Sequence, residues 1–293
     1  MYYHKADVSY YGGDKDEGIF VCSSLGEAVK TGTSYAAPWI TRKMAYLIYR
    51  MGLSREVAKA LLIDSAAKWD RQDNVSFNVG YGVVPVRIED ILKTRDDEIR
   101  FIITNTITEY ETFTYNIPIP RNDKGFPFLA RATLVYYPKC NRNQGVDYTC
   151  TELDMHFGRA REKDGKTSIE SINRNAQGEE NGAGLFEGSA RKVFRKWDNV
   201  KHISERLNPK ARTKNVFNSN NWGLMIRCTE RLEENNGRGM KFGVVITMRE
   251  IEGVNRMQQF INLCRVRGWI VNELSIDNRN DIYNIGEQDI ELE

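Results

Sequence analysis

Residues 32–38, with the sequence Gly-Thr-Ser-Tyr-Ala-Ala-Pro, constrain the fold of this chain more than any other stretch. Gly32 allows a tight turn and a close approach to a bound ligand, and Thr33 is a competent helix cap. Ser34 then lies in the first helical turn, where unpaired backbone N–H groups and the helix dipole favour negative charge. The same N–H groups could meet the oxyanion of an acyl transfer. The segment therefore predicts a serine nucleophile at the start of a buried helix.

A capped turn without a catalytic role is the alternative, and the tripeptide Gly-Thr-Ser alone would favour it. The longer pattern G-T-S-x-A-A-P arises by chance in a chain of this length with a probability on the order of one in ten thousand or less. It resembles the nucleophile block of the subtilisin-like serine proteases, the subtilase family. The resemblance implies that Ser34 is the catalytic nucleophile of an endopeptidase that forms an acyl-enzyme.

Two flanking stretches extend this resemblance over about the first 84 residues. Residues 5–13 are similar to the family's K-P-D-[IV]-x-A-P-G stretch, with Ala6 where proline is usual and Tyr11-Gly12 where Pro-Gly is usual. Residues 80–84, Gly-Tyr-Gly-Val-Val, resemble the G-x-G-[LV]-[IV] turn that follows the second helix after the nucleophile. Each match is weak alone, but their order and spacing both fit the family.

The family's catalytic Asp and His should precede the serine by more than the 33 residues that precede Ser34 here, and so should its oxyanion Asn. His4 directly precedes the residue 5–13 stretch instead of lying in an H-G-T helix, and we expect His156 and His202 to be surface or packing residues. We therefore expect the C-terminal portion of a protease, inactive alone. Its expected partners are a peptide or protein substrate and either the upstream portion of the same protease or a second copy, which would cover the inner faces of the first two helices.

Composition excludes several other classes of function. A net charge of +2 gives no reason to expect nucleic acid or a membrane surface as a partner, and no apolar run approaches eighteen residues. The five cysteines are scattered without a C-x-x-C pair, which favours a reducing compartment such as the cytoplasm. Cys140 and Cys150 could face each other across a hairpin, although two separate thiols are favoured. No cofactor is expected. Residues 13–18 are expected to form a solvated acidic loop, with a calcium site as the alternative.

Residues 1–95 have the pattern of the end of an α/β unit, here the C-terminal part of a subtilisin-like parallel-sheet domain. Residues 19–22 form a short apolar run typical of a buried strand. Apolar positions recur at helical spacing over residues 34–50 and again over 54–68, where Ser54 is a good cap. Residues 87–93 predict a closing helix. We therefore predict two consecutive amphipathic helices after the nucleophile turn.

Near residue 96 the apolar period changes from helical to alternating, and we place a domain boundary there. Alternation predicts strands at six places: residues 100–103, 112–117, 130–137, 152–157, 222–228 and 242–248. Six to eight strands joined by polar loops predict an antiparallel β-sandwich of the jelly-roll type over residues 96–252. Residues 253–293 are assigned to a helix at 255–267 and a polar tail.

Two hypotheses of function follow from these patterns. In the first, the parent protein is a serine endopeptidase to which this chain contributes Ser34. In the second, the chain is a non-catalytic pseudoprotease or binding module that acts through the β-sandwich and retains a vestigial nucleophile block.

Overall fold

The computed structural model describes residues 6–67, 79–120, 128–141, 143, 149–163, 166–172, 199–204, 221–230, 239–272 and 274. The first elements are two short strands, β1 (Ile19–Ser23) and β2 (Gly26–Lys30), which form an antiparallel hairpin. The predicted burial of residues 19–22 is wrong, because Phe20 is 61% exposed and its partner Val29 is 57% exposed. A short apolar run indicates a strand, but whether that strand is covered depends on segments distant in sequence.

Two consecutive helices follow the hairpin, as the periodicity predicts. Helix α1 (Thr33–Ala45) continues as a π-helical turn over Tyr46–Arg50. Helix α2 (Arg55–Ala66) begins at Ser54, whose hydroxyl accepts the Val57 N–H at 3.3 Å. The short helix α3 (Ile88–Leu92) lies within the predicted closing helix.

Within the described residues, eight further strands form two antiparallel sheets of four strands each. Sheet I has the order β3-β10-β5-β8 and sheet II the order β4-β9-β6-β7. All six predicted strands are present, whereas β7 and β8 had not been predicted. The strand bounds are β3 (Glu98–Ile107), β4 (Thr112–Pro118), β5 (Phe128–Tyr136), β6 (Thr151–Lys163), β7 (Lys166–Ser171), β8 (Val200–Ser204), β9 (Asn221–Glu230) and β10 (Met240–Glu250).

The two sheets share one hydrophobic core. Alternate residues of β5 and β10 in sheet I and of β6 and β9 in sheet II face it, among them Leu134, Ile246, Phe157 and Leu224, each at most 1% exposed. Helix α4 (Met257–Val266) adds Phe260, whose ring lies 5.0 Å from that of Phe101 on β3. Successive side chains of a strand point to opposite faces of its sheet, but the face turned away from this core is not always exposed, since all nine residues of β5 are buried.

The outward face of sheet I is covered by α2. Leu61 and Ile63 of α2 belong to a second hydrophobic cluster that also contains Val135 of β5 and Val245 of β10. The helix approaches the sheet so closely that a Cβ atom at Gly243 would lie 2.9 Å from the Val57 nitrogen. The expectation that the inner face of this second helix would be uncovered is therefore wrong, because sheet I covers it.

Helix α1, in contrast, is less buried than the sequence predicted. Only Ala36 and Lys43 of its 13 residues are buried, so the helix is not the central buried helix that was predicted. In the described part of the chain, no helix is both long and apolar enough to cross a membrane.

Candidate active site

Ser34 is the second residue of α1, and it is exposed. The helix is preceded by Gly32, which has φ 146° and ψ 156° and therefore adopts a conformation that L-residues rarely adopt. The predicted capping role of Thr33 is wrong: the helix already begins at Thr33, and no side chain caps it. The Thr33 and Ser34 N–H groups precede the first i→i−4 bond of the helix, as all first-turn amides do. These amides can therefore face a ligand beside the Ser34 hydroxyl.

The turn before Ser34 rests against the end of the residue 5–13 stretch. The Gly32 N–H donates to the Gly12 carbonyl at 2.7 Å. A Cβ atom at Gly12 would lie 2.8 Å from the Gly32 carbonyl oxygen, so only glycine fits there without a shift of the backbone. The glycine of the first flanking motif thus allows the direct contact with the nucleophile turn.

The second flanking motif pairs with the first. Ser9 and Val83 form a parallel bridge, in which the Ser9 N–H donates to the Gly82 carbonyl at 2.8 Å and the Val84 N–H donates to the Ser9 carbonyl at 3.0 Å. Gly80 has φ 59°, and a Cβ atom there would lie 2.0 Å from the Ala6 carbonyl oxygen. The structure therefore brings together the three stretches that the sequence analysis singled out.

Residues 3–82 match the family model of the subtilase family, a family of serine peptidases. Residues 3–82 are therefore similar to subtilases, and we call them the subtilase segment. The match includes the first two motifs, the first three residues of the third motif, the hairpin and both α1 and α2, and it ends before sheets I and II begin. No curated protein matches the chain. The family resemblance inferred from residues 32–38 and their flanks is confirmed, and the segment points to serine peptidase chemistry in general.

The histidines of the described residues lie on the sheets. His202 on β8 packs against the subtilase segment: its ring lies 5.1 Å from that of Tyr81, and its Nδ1 lies 2.9 Å from the Thr133 hydroxyl. This agrees with the prediction of a packing role. His156 is a half-buried residue of β6, and His4 lies outside the described residues.

The acidic loop at residues 13–18 is closed by its own carboxylate. Asp14 accepts the N–H groups of Glu17 at 2.8 Å and Asp16 at 2.9 Å. These backbone hydrogen bonds hold the pKa of Asp14 below its usual value. Within the described residues no group of three or more His, Cys, Asp or Glu side chains could hold a metal ion, so the calcium alternative gains no support from this loop.

The five cysteines are separate thiols. Cys140 lies opposite Thr149 instead of Cys150, which agrees with the favoured expectation of two separate thiols. Burial raises the pKa of the Cys264 thiol to about 11, which makes this thiol a poor nucleophile at neutral pH.

A cavity of about 1270 Å³ lies away from Ser34, between the start of α2, strand β3 and helix α4. Its walls include Leu53, Phe101 and Ile261, and its lining contains no residue before Met51. The cavity therefore does not belong to the candidate active site.

Sequence reasoning missed a buried cluster of charged side chains between α2 and sheet I. Asp64 of α2 is fully buried, and its carboxylate accepts hydrogen bonds from Arg131 of β5 and Thr247 of β10, each at 2.7 Å. Burial alone would raise the pKa of Asp64, but Arg131 and then Arg100 hold it below the usual value. The signal was present in the apolar run Leu-Leu-Ile-Asp at residues 61–64, where a carboxylate interrupts the buried face of a helix.

Proposed function

We propose that this chain contributes the nucleophile of a serine endopeptidase and that Ser34 is that residue. The single observation that supports this most is the position of an exposed serine in the first turn of α1, within a segment that matches the subtilase family. In the proposed reaction the Ser34 oxygen attacks the carbonyl carbon of the scissile peptide bond. The amine then leaves, and water hydrolyses the resulting ester.

The proposed reaction needs a base that takes the proton from the Ser34 hydroxyl. His156 and His202 are poor candidates, because both belong to the sheets and His202 is engaged with Thr133 and Tyr81. We propose that the histidine and its orienting aspartate come from the upstream portion of the same protease, on the same or a second chain. Self-association is the other way in which the open faces of α1 would be covered. In this proposal the chain alone is inactive, and the substrate is a peptide or protein bound as an extended strand.

We further propose that sheets I and II form a β-sandwich of the jelly-roll type, in a domain over residues 96–252. Eight antiparallel strands divided between two sheets in the orders β3-β10-β5-β8 and β4-β9-β6-β7 are the arrangement expected of two Greek keys. The shared core of the two sheets supports the same proposal. In this division residues 1–95 are the C-terminal part of the catalytic domain, and residues 253–293 contain α4 and the tail.

The test is labelling with a fluorophosphonate probe, which reacts with an activated serine hydroxyl. We expect the chain alone to label slowly and the chain supplied with the upstream portion of the protease to label rapidly. Ser34→Ala should abolish the rapid labelling. It should also lower the rate of peptide hydrolysis by several powers of ten. Ser24→Ala, at an exposed serine of the hairpin turn, is the matched control and should change neither.

Two outcomes would contradict the proposal. Rapid labelling that persists in Ser34→Ala would place the nucleophile elsewhere. A completed protein that neither labels nor hydrolyses peptides would favour a non-catalytic pseudoprotease that acts through the β-sandwich.

A further inference from the structure

Four side chains form a buried polar cluster where the subtilase segment meets sheet I; we call Asp64, Arg100, Arg131 and Thr247 the junction cluster. Arg131 Nε donates to one Asp64 carboxylate oxygen at 2.7 Å, and the Thr247 hydroxyl donates to the other at 2.7 Å. Arg100 Nε lies 3.3 Å from that second oxygen. One carboxylate of α2 is thus bound by side chains of three neighbouring strands, β3, β10 and β5.

The two arginines also bind backbone carbonyl groups of the N-terminal region. Arg131 donates to the carbonyls of Asp64 and Ala67, both at 3.0 Å, at the C-terminal end of α2. Arg100 donates to the Ile91 carbonyl at 2.8 Å, in α3. Positive charge is favourable at a helix C-terminus, where carbonyl groups lack partners in the helix. Arginine side chains of sheet I therefore hold the C-terminal end of α2 in position.

The end of α2 contacts the motif at residues 80–84, which pairs with the residue 5–13 stretch. A Cβ atom at Gly82 would lie 2.0 Å from the Ala66 carbonyl oxygen, so the backbones of these two residues are in direct contact. The Gly82 carbonyl accepts the Ser9 N–H. Three residues further along the same stretch, Gly12 accepts the Gly32 N–H next to the Ser34 turn. A continuous path of contacts thus runs from the junction cluster to Ser34.

A buried charged cluster is a poor source of stability, because apolar residues of similar volume are often as stabilising at such a position. Its particular property is geometric: a planar guanidinium that binds a carboxylate and two carbonyls permits one position of the helix end, whereas apolar packing tolerates small shifts. An error of about 1 Å in the position of a catalytic group can cost about a hundredfold in rate.

We propose that Asp64 and Arg131 are positioning residues of the peptidase: through α2 and Gly82 they set the position of the Ser34 turn. The inference assigns to sheet I a part in catalysis, namely to hold the end of α2, and it rests on the proposed function of Ser34. Asp64 and Arg131 are 0% and 3% exposed, so their side chains are not accessible to a substrate.

The test combines amide hydrogen exchange of the chain with kinetics of the completed peptidase. The first variant is Arg131→Lys, which keeps the positive charge but loses the planar set of donors. The second is Thr247→Val, which removes only the hydrogen bond to Asp64 and serves as the test if Arg131→Lys does not fold. We expect the amides of Ser9, Gly32 and Tyr81, all hydrogen-bonded in the path, to exchange between about 2-fold and 30-fold faster. In the completed peptidase kcat should fall by a similar factor at unchanged KM.

The matched control is Lys201→Met, which breaks a second buried ion pair, between Lys201 of β8 and Glu152 of β6 at 3.2 Å. This pair joins the two sheets. This substitution should accelerate exchange in β8 and leave kcat and the amides of Ser9 and Gly32 unchanged, whereas Tyr81 contacts His202 of β8 and is left out of this comparison.

Each outcome decides one question. Path amides that exchange as in the control overturn the inference, whatever the labelling of Ser34 shows. Faster path amides with unchanged kcat limit the junction cluster to a structural role and overturn the positioning role. If the completed protein does not react at Ser34 at all, the proposed function fails, and the exchange data still report whether the path exists.

Discussion

Helices α1 and α2 follow each other in the subtilase segment and have nearly the same length, yet their surroundings differ sharply. Nine of the 12 residues of α2 are buried, against two of the 13 residues of α1. The apolar face of α2 has its partner within the described chain, since sheet I packs on it. The comparison shows that amphipathic periodicity predicts a helix but does not say which surface covers it.

The interactions of α1 are correspondingly of another kind. The Arg42 guanidinium lies 5.8 Å from the centre of the Trp39 ring, and the Lys43 ammonium lies 5.4 Å from that of Tyr10. Such a contact contributes about 0.5–1 kcal/mol at an exposed site and about 2 kcal/mol when it is desolvated, as at Lys43, which is 2% exposed. Ile40 and Met44 of α1 are only partly buried against the second hydrophobic cluster, so α1 is less covered than α2, and Ser34 is exposed.

The largest change in the free energy of unfolding should come from the buried ion pair between α2 and sheet I. Arg131→Met leaves the fully buried Asp64 carboxylate short of its main partner, and we expect a loss of about 3–5 kcal/mol in the free energy of unfolding. Urea denaturation measures it. Arg42→Met on α1 is the matched control, with an expected loss of at most about 1 kcal/mol. Equal losses of stability in the two variants would contradict the claim that α2 is held more firmly than α1.

An apolar substitution sharpens the same comparison. Leu61 of α2 is 2% exposed, so Leu61→Ala should cost about 2–5 kcal/mol, as expected for a buried leucine. Ile40 of α1 is only partly buried, and Ile40→Ala should cost about 1 kcal/mol. The two midpoints of urea denaturation, at equal m-values, give the answer. An Ile40→Ala loss as large as that of Leu61→Ala would mean that α1 has a cover that its exposed faces do not indicate.

The smallest effect concerns the starts of the two helices. The Ser54 hydroxyl caps α2 through the Val57 N–H, so Ser54→Ala should cost about 1 kcal/mol. Thr33 makes no such cap for α1, and Thr33→Ala should change stability by no more than about 0.5 kcal/mol. Thermal denaturation of both variants compares them. A larger loss for Thr33→Ala would show that the N-terminus of α1 is capped after all.

The sequence predicted local features well, because their causes are local. Helical spacing placed α1 and α2, alternation placed six strands, and the glycines of the three motifs pointed to the turns around Ser34. What it did not predict depends on partners distant in the chain. Asp64 binds Arg131 and Thr247, which lie 67 and 183 residues further along the chain. For the same reason the sequence could not tell that sheet I would cover α2 and leave both α1 and the β1–β2 hairpin exposed.

The most direct test of this account is peptide-resolved hydrogen exchange of the dilute chain, which compares the amides of α1 with those of α2 in one experiment. The account predicts that amides within residues 58–66 exchange at rates close to those of the sheet core. Amides within residues 37–45 should exchange about tenfold faster or more, because few buried contacts oppose local opening. Equal protection of the two helices would contradict it, since α1 would then be packed as firmly as the helix that sheet I covers.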